Sequence, residues 1–227
     1  MGQLVVRLAT ERGHEIALTV SSRDAQRTTD DLANSLRGCD AAIDFSVAAA
    51  VLGNTTACAL AGVPLVEGTT GWNAKLGQVT DIVNEREGAL IYGANFSVGV
   101  QVFYRIAARA AELFHGLESY DAFIEEAHHK RKRDAPSGTA AQLHAIAAAA
   151  LEREVPVTST RAGYIPGTHR LGFDSAADQI TLTHTARSRE GFAAGALVAA
   201  RWIVGQKGVF EFSEVFDEIC KTQSKTE

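Results

Sequence analysis

Cysteine is scarce in this chain: three residues among 227, at Cys39, Cys58 and Cys220. They are far apart, odd in number and without metal or redox spacing, which argues against a disulfide framework or a zinc module. The plain reading is small buried side chains in a reduced, cytoplasmic protein. No run approaches the roughly 18–20 apolar residues of a membrane span, and no leader of the secretory type opens the sequence. Internal repeats are lacking, and the one biased stretch, Ala147 to Ala150, suits a helix interior. The formal net charge is −5, which makes nucleic acid a poor partner. The length fits one large domain or two small ones, and the apolar content of 46% is ordinary for a globular protein.

What is present is a regular alternation of helical and extended patterns. Met1 to Ala9 has apolar residues at helical spacing and stops near Gly13. Glu15 to Val20 reads as a strand. Cys39 to Ser46 is a short buried strand with a polar end. A helix from Ala48 to Ala61 closes at Gly62. Val63 to Glu67 is the next strand, followed by Gly68-Thr69-Thr70-Gly71-Trp72. A helix over about Lys75 to Glu87 leads to the strand Ala89 to Tyr92 and then to Gly93-Ala94-Asn95-Phe96-Ser97. This βα spacing implies a parallel sheet. Successive strands end in Gly, Thr, Ser or Asn, and ligands of open parallel sheets bind outside the carboxyl ends of the strands. These turns therefore form one candidate rim.

A second shortage bears on that rim. In dinucleotide-binding folds a strand and a G-x-G-x-x-G turn precede the first helix, and here neither stands in the sequence. A strand that is central in such a sheet is missing, and with it most of the backbone that would cradle a pyrophosphate. The expectation is a start placed about a dozen residues too late, with a damaged copy as the alternative. After Val20 comes Ser21-Ser22-Arg23-Asp24. NAD enzymes place an Asp or Glu at about the position of Ser21 to bind the ribose 2′-hydroxyl. Ser21 with Arg23 close by suits a 2′-phosphate better, which leans toward NADPH or dual use; a plain polar turn is the competing reading.

The densest chemistry lies in the stretch from Glu125 to Ala140. A helix over Val98 to Phe114 marks a change of domain, a strand from Tyr120 to Ala127 runs in, and an Ala-rich helix from about Ser137 to Arg153 runs out. Between them stand His128, His129, the cations Lys130 to Arg133, and Pro136-Ser137-Gly138-Thr139. Histidine suits proton transfer near neutral pH. Lys132, four residues after His128, can face the same ligand across a helical turn. Ser137 can cap the following helix, whose first N–H groups, at Gly138 and Thr139, suit a carboxylate or phosphate. An acid, a cation and an anion site together suggest protonation of an anionic substrate. The bland alternative is a solvated basic loop. A nucleic-acid patch is disfavoured by the acidic chain and by the lack of aromatics among these cations.

The run E-A-H-H-K-R-K-R-D-A-P-S-G-T-A resembles the E-x-H-H-x-x-K-x-D-x-P-S-G-T-A signature of the dihydrodipicolinate reductase family. The resemblance extends along nearly the whole chain. Met1-Gly2 match the end of the family's G-x-x-G-x-M-G turn, and D-F-S, G-T-T-G and A-N-F-S-x-G-V match segments that line its nicotinamide cofactor. Thr160 to Arg170 matches R-x-G-x-x-x-G-x-H, and Ser188 to Ala196 matches S-R-x-x-F-A-x-G-A. The resemblance implies His128 as proton donor with Lys132 as a second donor. It implies substrate binding by His129, Ser137, Gly138, Thr139 and Arg189, with a helix-start salt bridge as the alternative for Arg189. For NADPH or NADH it implies Gly68, Thr69, Thr70 and Gly93 through Phe96 (Ala94 and Asn95 included), with Met1 and Gly2 at the matched turn, and the candidates Ser21 and Arg23 join them from their place after the strand. His184, on the alternating strand Gln179 to Arg187, reads as structural.

The expected fold is α/β: a Rossmann-like dinucleotide-binding domain over 1–96 and 205–227, and an α+β domain with an open mixed sheet over 97–204 that assembles a homotetramer. The expected activity is reduction of 4-hydroxy-tetrahydrodipicolinate, a small dianion, in diaminopimelate and lysine biosynthesis, without metal, membrane or nucleic acid. The alternatives are another two-domain NAD(P) reductase of amino-acid metabolism, or a non-catalytic relic.

Overall fold

The apolar stripe Leu4, Val5, Leu8 and Ala9 does form a helix, α1 (Gly2–Glu11), and buries itself against Ala193 and Leu197. Arg12 ends it, and Gly13 turns the chain at φ +78°, a left-handed conformation that glycine adopts without strain. The computed structural model describes residues 1–24 and 26–223. After α1 the described chain forms α2 (Thr29–Leu36), β1 (Ala42–Asp44), α3 (Val51–Ala61), β2 (Leu65–Glu67), α4 (Leu76–Glu85), β3 (Ala89–Tyr92) and α5 (Val98–Phe114). It continues with β4 (Asp121–His128), α6 (Gly138–Leu151), β5 (Val157–Arg161), β6 (Thr168–Asp174), β7 (Gln179–Thr185), α7 (Glu190–Ile203), β8 (Gly208–Glu211) and α8 (Phe212–Gln223). Two compact units result, one of Met1–Ser97 with the chain from Phe192 onward, the other of Val98–Gly191.

The first unit is built on a parallel sheet in the order β1-β2-β3-β8. Alternate residues of each strand face opposite sides. Leu65 and Leu90 pack with Val51, Ala57, Val79 and Val83 of α3 and α4. Val66 and Ile91 pack with Ala199, Trp202, Ile203, Phe212 and Phe216 of α7 and α8. A sheet covered on both faces is the doubly wound arrangement expected of a dinucleotide-binding domain. Strand β8 and helix α8 return to this unit.

Two expectations need correction here. Residues 14–21 form no strand, although Glu15 to Val20 alternate as one. A strand needs a ladder, and in a doubly wound sheet the first strand bridges the second to the rest. Among the described residues no strand pairs with this segment, and Ile16 and Val20 are exposed while Leu18 rests on the core. Secondly, the second domain does not run to Val204. Helix α7 buries Ala193, Ala196, Ala199 and Ile203 in the cores of the first unit, and the units divide at Gly191. Helix α2, not anticipated, is set by a local signal: Thr28 accepts a hydrogen bond from the Asp31 N–H while the Asp31 carboxylate accepts one from the Thr28 N–H, a capping box.

The second unit carries a mixed sheet in the order β5-β4-β6-β7, with β4 and β5 parallel and the other pairs antiparallel. Helices α5 and α6 cover one face. Phe103, Ala107, Ala111, Leu143 and Ala147 meet Ala122, Ile124, Leu171 and Phe173 there. The other face is polar and open, with Glu125, Thr158, Thr160, Arg170, Thr181 and Thr183 exposed. This one-sided pattern is the one expected for the open mixed sheet.

Candidate active site

In a strand, residues two apart share a face. Glu126 and His128 therefore both point inward from β4, on the side that buries Ile124. The antiparallel register sets His169 of β6 opposite Glu126, and the parallel register sets Arg161 of β5 opposite His128. Nδ1 of His128 contacts Oε2 of Glu126. Oε1 of Glu126 accepts a hydrogen bond of 2.6 Å from Arg161 Nη2 and one of 3.4 Å from the Ser137 N–H. The Glu126 side chain is 0% exposed. Burial would raise its pKa, but the hydrogen bonds from Arg161, Ser159 and His128 outweigh that and hold it at about 2. It is a buried carboxylate fixed in its charged state. Removing its cation would cost about 3–5 kcal/mol.

His128 feels opposed influences. Burial depresses its pKa most, Glu126 raises it, and Lys132 and Arg161 depress it, for a net lowering. Gly167 lies against the far side of the ring: a Cβ there would come within 3.1 Å of Nε2. His169, buried behind His128 with ring centroids 5.1 Å apart, is pushed down to about 4 by burial and by His128. Glu126, His128 and His169 bring ligand-type atoms within 4.8 Å of one another. Arg161 and His128 already occupy the Glu126 oxygens, and a guanidinium beside the centre repels a cation. The arrangement is suited to handling a proton.

The remaining expected residues surround this cluster in different ways. Lys130, Arg131 and Arg133 are exposed, as the bland reading of a basic loop requires, whereas Lys132 is half-buried. A turn closed by the Lys132 N–H on the His129 carbonyl brings Lys132 back, and its ammonium lies 2.9 Å from Asp134. His129 is half-buried, with Nδ1 enclosed and unpartnered. Ser137 caps α6, accepting from the Ala140 N–H at 3.2 Å, and its Oγ meets His169 Nε2 at 3.1 Å. At 2% exposed, Ser137 has its hydroxyl engaged inside the protein. What it gives the surface is the placement of Gly138 and Thr139 at the positive end of α6. Arg189 is exposed in the bend before α7, and among the described residues no hydrogen bond or ion pair ties it to the cluster. Sequence reasoning missed Glu126, Arg161 and His169. The two-residue step from Glu126 to His128 was a usable signal; the cross-strand register that adds the other two was not.

In the first unit, Met1, Phe45, Ser46, Val47, Ala48, Gly68, Thr69 and Thr70 line a cleft of about 410 Å³ at the carboxyl ends of β1 and β2, within the usual range of ligand sites. Met1 is the N-cap of α1, so a helix N-terminus faces this cleft, and Thr69 Oγ1 on its wall has no hydrogen-bond partner. These features fit a nucleotide cofactor. The rim is braced from below: Asp44 accepts from the Ser46 N–H and from Asn54 Nδ2, both at 2.6 Å. Gly68 is required by packing, since a Cβ there would fall 2.1 Å from the Phe45 ring. Phe96 is 1% exposed between Phe45 and Phe212, so the stretch from Gly93 offers backbone rather than that ring. At the other expected contact, Asp24 accepts from the Ser21 N–H at 2.9 Å and hydroxyl at 3.2 Å, while Arg23 is exposed. The loop thus offers an acidic group beside a basic one.

Family models described as dihydrodipicolinate reductase N-terminus and C-terminus match residues 1–96 and 99–216. The 4-hydroxy-tetrahydrodipicolinate reductase of Christiangramia forsetii is 36% identical over 97% of this chain and 95% of its own length. That of Anaeromyxobacter dehalogenans is 36% identical over 82% of this chain and 76% of its own. The solved structure of a dipicolinate-bound dihydrodipicolinate reductase from Paenisporosarcina sp. TG-14 superposes with a TM-score of 0.65 at 25% identity, covering 78% of this chain and 73% of that one. An amine dehydrogenase from Mycobacterium smegmatis, 10% identical with a TM-score of 0.56, shares the fold.

Proposed function

The chain belongs to the dihydrodipicolinate reductase family, and on that footing we propose that it reduces 4-hydroxy-tetrahydrodipicolinate to tetrahydrodipicolinate in diaminopimelate and lysine biosynthesis. A bound nicotinamide supplies the hydride. NADPH and NADH are both compatible with the loop that sets Asp24 beside Ser21 and Arg23. Thr69, Thr70, Gly68 and the backbone from Gly93 through Ala94 and Asn95 to Phe96 would hold the nicotinamide end, Met1 and Gly2 the pyrophosphate, and Ser21 and Arg23 the far ribose.

In the second unit His128 gives the proton to the conjugated system, and Lys132 serves as a second donor. Gly138 and Thr139 bind one carboxylate of the dianion at the N-terminus of α6, His129 assists, and Arg189 takes the second carboxylate. The single observation that carries this reading is His128 itself, seated between a buried carboxylate and two cations beside a helix N-terminus. A reduced, cytoplasmic protein fits the cysteine usage, although of the three expected to be buried only Cys58 is, with Cys39 half-buried and Cys220 exposed. The polar open face of the second sheet supports assembly of a homotetramer.

The test is NADPH and NADH oxidation with freshly generated dihydrodipicolinate synthase product, on this chain and on one extended by a strand and glycine turn ahead of α1. Turnover by either form is the expected result. His128→Ala and Lys132→Ala should each lower kcat by about 100-fold or more while changing Tm by much less than the activity loss would suggest. Two folded but inactive forms, or parallel losses of Tm and activity in the variants, would overturn the assignment.

A further inference from the structure

We propose that Glu126, held by Arg161, is a positioning residue that confines the proton of neutral His128 to Nδ1 and so leaves Nε2 as the nitrogen that exchanges a proton with the substrate. The inference rests on the reading of His128 as the proton donor, but its first test does not require turnover.

An ionised carboxylate only accepts. Both oxygens of Glu126 face donors: Arg161 Nη2 and the Ser137 N–H on Oε1, His128 on Oε2. Arg161 is itself anchored, its Nη2 donating also to the Asp134 carbonyl at 2.5 Å. With the carboxylate kept charged by a guanidinium that cannot deprotonate, Nδ1 must carry the hydrogen it donates. The opposite nitrogen is then the one whose proton comes and goes. Gly167, with no side chain and with its carbonyl held by the Ala186 N–H at 2.8 Å, keeps the space beside Nε2 open. Burial, Lys132 from the loop after β4 and Arg161 on β5 work against a charged ring, while His169 on β6, held neutral behind it with His184 on β7 beyond, adds no charge, and the Asp134 carboxylate is engaged by Lys132. Among the described residues, the group that raises the His128 pKa and so favours the imidazolium a proton donor must form is Glu126.

The direct test is nitrogen-15 NMR of histidine-labelled native protein above neutral pH. The expected spectrum has His128 with Nδ1 protonated and Nε2 bare. A ring protonated at Nε2, or an even mixture of the two forms, would overturn the proposal whether or not the protein turns over. The second test is Glu126→Gln beside Glu126→Asp. A reaction that needs protonated His128 loses rate as pH rises through its pKa. Loss of the carboxylate should move that alkaline limb of kcat/KM to lower pH by about one to two units and lower kcat by about 100-fold or more, with dipicolinate affinity changed by less than about threefold. Glu126→Asp, which keeps the charge, should restore the position of the limb. A merely structural role predicts lower Tm and unmoved pH limbs in both, and that outcome would refute the proposal. If the Gln variant does not fold, the tautomer measurement and the Asp variant still decide.

Discussion

Glu67 ends β2 with its side chain 0% exposed. Its Oε1 accepts the Thr69 N–H at 2.7 Å, and Oε2 has no hydrogen-bond partner. Burial, and after it the Asp44 carboxylate, push its pKa from 4.5 up to about 8. The sign follows directly. Between pH 5 and pH 8 the folded chain keeps a proton on Glu67 that the unfolded chain has released, so stability falls as pH rises. Each unit of separation is worth about 1.4 kcal/mol, which makes the whole window worth at most about 4 kcal/mol. Glu67→Gln keeps the shape and the acceptor of the neutral acid and cannot ionise. For a chain of this size about 1 kcal/mol moves Tm by about 2–4 °C. The two proteins should therefore melt together near pH 5, and the variant should melt about 5–15 °C higher at pH 8. Calorimetric melting at pH 5, 6.5 and 8 at fixed ionic strength is the assay. Curves that run parallel across the window, or a variant that is less stable throughout, would refute the assignment of a buried neutral carboxyl.

Two further outcomes test the packing that holds the two candidate sites. A Cβ at Gly195 would fall 1.6 Å from the Phe96 carbonyl oxygen, whereas one at Gly53 would meet nothing within 4 Å. Gly195→Ala should therefore cost about 3 kcal/mol or more in urea unfolding, and Gly53→Ala should be neutral or slightly stabilising; similar values for the two would contradict the close approach of α7 to the turn at Phe96. Ser137→Ala should cost about 2–4 kcal/mol, since it removes the cap on α6 and leaves the buried His169 Nε2 without its partner, and Ser137→Gly should cost less by about 1 kcal/mol, which glycine recovers at an N-cap. Equal and negligible costs would mean that the cap contributes nothing.

Where the physics was local, the sequence was legible. Helix α5 and strand β3 fall at the bounds that their periodicity implies, and Ser137 is the N-cap that its place before the Ala-rich run suggests. The capping box at Thr28 and Asp31 that starts α2 is equally local. The segment from Glu15 to Val20 shows the limit of pattern: its alternation is genuine, but a strand exists only with a partner, and periodicity does not report one. Helix α7 shows the same limit for packing. Its small residues, Ala193, Gly195, Ala196 and Ala199, say that something approaches closely, yet only the folded chain says that Phe96 and α1 do. The site follows this division. Consecutive cations from Lys130 to Arg133 drew attention to an anion, and three of the four are in water. The groups that surround His128 are quieter in sequence and farther apart: Glu126, then Arg161, which β5 brings to it from 35 positions away, and His169 from β6. A charged side chain far from its partner along the chain, buried only because a sheet register pairs the two, leaves no short motif. Its signature is the energetic cost of burying it unpaired, and that cost can be read only once the register is known.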